Sequence, residues 1–526
     1  MIRFPRLRRI SSAVAAIALA TVALSACSSS DDGEDLTIAR VSDVGTLNPF
    51  AYDSDMGMQS LVYEPLVELN ADGELVPWLA EDWSFEDDDK TIVFTLRDGV
   101  TFSDGTPLDA EAVKASVDAV FADRERHSWL PLVDKLHDVE VIDDRTVAYH
   151  FSEAYPFALL ELSMIRPMRI MSPTGLDGTK FTKPIGTGPF ALTDYAVDES
   201  ATFSRNKSYW GDAPKVDTVK IKVVPDSNTR LQALVAGEVD MIVGRGGTDS
   251  IPFSDLETIE SSSDLSLMTA EGDIADFISL NPSDPLLKDV RVRQAVVQGI
   301  DATEVNDVVY AGKNEVSTTM AATSIPEVLG EAKTIGYDPE ASRRLLDEAG
   351  WKEAGDGIRK KDGKRLTLSY NLPNESSGQK SIAEVIQSQL KKIGVEVKLS
   401  AVEETVYMNR RNNTGEYALM PDIAWGVQYD PHAIYKAMRD QRKHVTPAFE
   451  SGAGDLLTKA LANPDEKSRR QQQDRIADIL MNEEFIIAPL TVAPNVAAVR
   501  DGVDGFAFGK NVWELRQGLM TVTVED

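Results

Sequence analysis

The chain has 526 residues, 42% hydrophobic and 26% charged, longer than one hydrophobic core usually grows, so a soluble protein of several domains is expected. Its 85 acidic against 54 basic side chains, a formal net charge of −31, exclude the basic face that nucleic-acid binding requires and read as a solvated acidic surface. The single cysteine, Cys27, excludes an internal disulfide or a CxxC site.

In chain order, residues 1–9 carry four arginines and no acid, and the apolar run ISSAVAAIALATVALSA follows. This is the pattern of a secretory signal peptide, expected over residues 1–26. The run is too short and too rich in alanine for a good permanent span. Residues 27–35 then read as Cys27 and a flexible polar tether, SSSDDGED. Strands are expected at 91–96, on either side of the turn Asp143-Asp144 within 139–151, at 216–224 and at 239–243, from alternating or β-branched runs bounded by turn residues. Helices are expected at 108–121 behind an Asp109 cap, at 228–237, from Asp338-Pro339 to just before Gly350, and at 381–393. A strand should follow Gly394. Strands and helices mixed along the chain predict an α/β protein.

The stretch WGVQYDPHAIY, 425–435, gathers a Trp, two Tyr, an Asp and a His. Asp430-Pro431 has the syntax of a helix start, with Ile434 and Met438 on one face, which makes His432 a scaffold residue. An anchored hydrolase is not supported: HExxH and GxSxG are absent, and the GRGG at 244–247 lacks the Lys-Ser/Thr of a phosphate loop. The run Asp87-Asp88-Asp89 sits in polar turn sequence.

Several segments taken together resemble the extracytoplasmic substrate-binding proteins of peptide and nickel ABC transporters, solute-binding family 5. They are LNPF and VYEPLVEL within 47–69, FTLRDGVTFSDGTPLDAEAV at 94–113, PIGTGPF at 184–190, NKSYWG at 206–211 and YDPEASRRLLDEAGW at 337–351. RERHSW at 124–129, MIRPMRIMSP at 164–173 and WGVQYDPH resemble the nickel-binding branch. Leu24-Ser25-Ala26-Cys27 resembles the bacterial lipobox.

The resemblance implies a type II periplasmic-binding fold with three lobes. Domain I would comprise 36–75, 186–275 and 498–526, domain II 76–185 and domain III 276–497. It implies a monomeric receptor, lipid-anchored on Cys27 at the outer face of the cytoplasmic membrane, that hands its ligand to a permease and has no intrinsic cofactor. It nominates Arg166 and Arg126 for the carboxylates of a metal chelate, a task suited to planar guanidiniums that stay charged when desolvated. Trp129, Trp425 and Tyr429 would be aromatic walls, Met56 part of the pocket wall, and His444 the protein's metal contact. One imidazole is too few donors for a closed metal site, so an amino acid or an opine-type metallophore would supply the rest. Gln428 stands where peptide binders of the family place an aspartate for the peptide's amino terminus, which weakens the peptide alternative. Val427-Gln428 and Asn511 depart from the branch pattern. His127, His137 and His150 read as structural.

Overall fold

The computed structural model describes residues 35–70, 72–245, 251–322, 332–374, 377–424, 432–509 and 513–525. Two mixed sheets organise them. The seven-stranded sheet runs in the order Phe190–Ala196, Ser200–Arg205, Thr218–Val223, Asp35–Arg40, Met241–Arg245, Asn495–Arg500 and Leu265–Ala270. Asp35–Arg40 is parallel to both its neighbours. The six-stranded sheet runs Glu315–Val316, Ile487–Val492, Ala275–Leu280, Leu419–Ala424, Thr367–Pro373 and Glu396–Val402. A four-stranded antiparallel sheet, Ala80–Glu86, Thr91–Leu96, Thr146–Phe151 and Leu136–Asp143, lies within the segment between the first two strands of the large sheet.

Local chemistry explains the helix starts. Asp109 caps Ala110–Phe121 by accepting from Ala112 N at 2.8 Å, and Asp338 caps Pro339–Glu348 by accepting from Ala341 N at 2.8 Å. Gly350 follows with φ +86°, the left-handed backbone that glycine adopts without strain. The helix expected at 228–237 spans Ser227–Val235 behind Asp226, and the one expected at 381–393 spans Ser377–Lys392. Ile434 and Met438 are buried on one face of Ala433–Gln441, while the expected cap Asp430 lies outside the described residues.

One apolar core runs without a break from the seven-stranded sheet into the four-stranded one, joining Ile38, Phe203 and Ile221 to Phe94, Tyr149 and Leu132. A second fills the space between the two large sheets and the helices beside them, and a third packs Ile434, Tyr435 and Met438 under the six-stranded sheet.

Two passages join the large sheets, one from Leu265–Ala270 to Ala275–Leu280 and one from Ile487–Val492 to Asn495–Arg500. They run side by side: Ala270 pairs with Asn495, and Ala275 with Val492. Between these pairs the backbones approach so closely that a Cβ on Gly272 would lie 1.9 Å from the Ala493 carbonyl oxygen. Gly272→Ala must push the passages apart, and is expected to cost about 1–3 kcal/mol by overpacking. Chemical denaturation checks this; an unchanged midpoint would show that the crossing yields freely.

Candidate functional site

The site begins at the carboxyl end of the first strand, the end at which open α/β sheets bind ligands. Arg40, its last residue, is ion-paired with Asp55 and donates to the Val243 carbonyl at 3.0 Å. Asp55 also caps the helix Met56–Val62, accepting from Met58 N at 3.1 Å. The loop between strand and helix is therefore fixed at its exit, and Tyr52 projects from it.

Tyr52 is the centre of the arrangement. Its ring lies 5.4 Å from the guanidinium carbon of Arg126 and 5.1 Å from that of Arg166. Its hydroxyl accepts from Trp129 Nε1 at 2.6 Å and meets His127 Nδ1 at 2.6 Å. The phenol oxygen can accept twice, so either Tyr52 or His127 can be the donor in the second bond. Burial, helped by Arg126 and opposed by Asp123, holds the His127 pKa below its ordinary value, which favours the neutral ring. Burial likewise raises the Tyr52 pKa against the Trp129 hydrogen bond and the two arginines, so the phenol stays neutral at pH 7.

Both arginines keep their charge here. Arg166 donates Nη1 to the Ser54 carbonyl at 3.0 Å, and the bond from Arg166 to Pro167 is cis. Burial lowers the Arg166 pKa, with Tyr52, Asp55 and Asp53 acting against it, yet a guanidinium remains protonated. Among the described residues no carboxylate pairs with either guanidinium. Two cations over one neutral aromatic ring, half-buried for Arg166 and open to solvent for Arg126, form a surface that takes anionic oxygens.

The structure thus brings together Arg126, Arg166 and Trp129. Met56 opens the helix that follows the Tyr52 loop and is half-buried. Trp425, Gln428, Tyr429, Asn511 and Cys27 lie outside the described residues. Tyr52 and the Tyr52–His127 bond were not among the expected site residues. The signal for Tyr52 was its place in a strand-to-helix loop four residues before Met56.

His444 sits elsewhere, in a buried cluster against the six-stranded sheet. Its Nε2 meets the Tyr417 hydroxyl at 2.8 Å, and the two rings pack edge to face at 5.2 Å. Beside it Asp422 accepts from Arg411 at 2.6 Å and from Arg442 at 2.5 Å. No described contact joins His444 to the Tyr52 group. Among the described residues no three His, Cys, Asp or Glu side chains gather as metal ligands.

Burial, then Arg442, pushes the His444 pKa from 6.5 down to about 4. A base whose pKa falls on folding stabilises fully above its unfolded value and loses that contribution as the pH drops. Stability should therefore fall between pH 6.5 and about 4, and His444→Leu should flatten that limb. Denaturant midpoints at pH 7 and pH 5 test it; equal slopes in both proteins would contradict the assignment.

His127, buried against Tyr52, and His432, packed on Phe157 with ring centroids 5.4 Å apart, are scaffold contacts. His150 bonds Thr91 and Glu140 across its sheet, and His137 is exposed on a neighbouring strand.

Residues 74–444 match the family model of bacterial extracellular solute-binding proteins, family 5. The nickel-binding periplasmic protein of Escherichia coli K12 is 33% identical over 475 residues, covering 87% of this chain and 89% of that protein. The crystal structure of NikA from Brucella suis with Fe(III)-EDTA superposes with a TM-score of 0.88 at 33% identity, over 93% of this chain and 100% of that one. The oligopeptide-binding protein AppA of Bacillus subtilis is 27% identical over 499 residues, 90% of this chain and 89% of AppA.

Proposed function

The chain belongs to the bacterial extracellular solute-binding proteins of family 5, and from that premise we propose that it captures a chelate of nickel or a similar divalent metal for an ABC importer. The observation that carries the reading is the pair of guanidiniums, Arg126 and Arg166, over the neutral Tyr52 ring, with no carboxylate paired to either among the described residues. A chelator's carboxylates would complete them, and its remaining donors would hold the metal, which prefers nitrogen and oxygen ligands of this kind. An amino acid or an opine-type metallophore has that chemistry.

In this reading Trp129 is one aromatic wall, and Trp425, Tyr429 and Met56 are others. Gln428 and Asn511 shape the cavity, and His444 would reach the metal only by leaving Tyr417. The three-lobed division at residues 76–185 and 276–497 belongs to the same proposal, as do lipidation at Cys27, a monomeric state and delivery to a permease in the cytoplasmic membrane. Micromolar capture needs about −8 kcal/mol. Charge-assisted hydrogen bonds contribute roughly 1.5–3 kcal/mol each, so a few of them with aromatic burial suffice after the cost of ordering.

The relation to AppA keeps a short peptide or another small zwitterion as the second reading, because a peptide also ends in a carboxylate. Calorimetry separates the two. Nickel with L-histidine should bind at micromolar strength or better, and di- and tripeptides should bind far more weakly; the reverse order would overturn the chelate reading.

A further inference from the structure

The two arginine-bearing segments are held by residues distant in the chain. The helix Ala433–Gln441 packs under the six-stranded sheet, through Ile434, Tyr435 and Met438. From it Lys436, almost fully buried, donates to the Ser128 carbonyl at 3.2 Å and pairs with Asp134 at 3.4 Å. Ser128 stands between Arg126–His127 and Trp129. Its own helix supplies a second carboxylate, Asp440, at 3.4 Å from the ammonium.

A second contact grips the other segment. Phe157 is packed by the His432 ring, and the Arg469 guanidinium lies 5.0 Å from its centroid. Phe157 precedes the helix Ala158–Leu162, after which the chain reaches Arg166. The gripped segments are also tied to each other. The Glu161 carboxylate accepts from Leu132 N at 2.7 Å and from the Tyr155 hydroxyl at 2.6 Å. Lys436 and, one helical turn away, His432 with Arg469 thus hold a single braced unit that carries both guanidiniums.

We propose that Lys436 is a positioning residue: its bonds to Ser128 and Asp134 latch the body of the six-stranded sheet onto the loop that carries Arg126 and Trp129 and fix where that loop stands. This rests on the chelate-receptor reading only in taking Arg126 and Arg166 as ligand-holding. The latch itself is a contact between two parts of the fold. If the two parts separate, the ammonium loses Ser128 and Asp134, keeps only Asp440 and must regain water, so those bonds oppose separation.

The test uses the mature chain with Cys27→Ser and spin labels on Asp138→Cys and Glu466→Cys, both exposed positions. Lys436→Met should shift the label distances of the unliganded protein toward longer values. It should also raise the dissociation rate of nickel–histidine about tenfold, since losses of closed-state contacts appear in off-rates. Lys436→Arg should restore both. Asp134→Asn, a change at an exposed side chain, should give a smaller shift in the same direction and guards against a variant that fails to fold. Unchanged distances and unchanged dissociation in Lys436→Met would overturn the latch. A distance shift in a protein that does not bind nickel–histidine would uphold the latch and count against the chelate reading alone.

Discussion

Arg166→Ala is expected to weaken binding of nickel–histidine by about 100-fold or more while leaving the unfolding midpoint nearly unchanged. Truncating one side of a desolvated charge pair costs roughly 2–5 kcal/mol of affinity, and tenfold corresponds to about 1.4 kcal/mol. The stability cost is small because Arg166 spends one hydrogen bond, to Ser54, on the fold and has no ion pair among the described residues. Among the described residues its remaining donors have no hydrogen-bond partner. Arg166→Lys keeps the charge but loses the planar fork, and should fall between wild type and Arg166→Ala. Calorimetry with parallel thermal unfolding separates the two effects. Retained affinity in Arg166→Ala would place the anion elsewhere; a collapse of the midpoint would make Arg166 a structural residue.

Asp422→Asn is expected to have the opposite profile, with a loss of about 3–5 kcal/mol of stability, the usual cost of breaking a buried ion pair from one side. The Asp422 and Arg442 side chains are each 1% exposed and Arg411 is 14% exposed. A neutral amide would leave two cations in that space without their counter-charge. Burial alone would raise the Asp422 pKa, but Arg411 and Arg442 outweigh it and hold the carboxylate below its ordinary range. A carboxylate depressed on folding stabilises above its unfolded pKa and loses that contribution as the pH falls through the folded one. The contribution is therefore complete at neutral pH and disappears only below about 3.9. Denaturant unfolding of wild type and variant at pH 7 and pH 3 should show a large gap at the first and a smaller one at the second. Equal stabilities at pH 7 would mean that the two arginines find other partners.

How far the sequence reached follows from the range of each interaction. The caps at Asp109 and Asp338 were legible because a capping carboxylate and its amide lie within three residues. The strand Ala80–Glu86 was not, because six of its seven residues are exposed or half-exposed and no apolar alternation marks it. Arg126, Arg166 and Trp129 were nominated from short motifs, and the fold does gather them. What gathers them was hidden. Tyr52 meets His127 across 75 positions, and its neighbour Ser54 meets Arg166 across 112, spacings that no local pattern encodes. The same holds for His444, whose partner Tyr417 lies 27 residues away and whose neighbour Arg442 answers a buried aspartate. Lys436 looked like an ordinary polar residue of an amphipathic helix; its bonds to Ser128 and Asp134 span more than 300 positions.

In the proposed reading the protein holds a metal mainly through its chelator's carboxylates. Equilibrium dialysis against nickel, with and without L-histidine, followed by metal analysis of the protein, tests it most directly. Near-stoichiometric nickel is expected only when L-histidine is present, and should disappear in Arg166→Ala. Nickel retained equally without histidine would contradict the account.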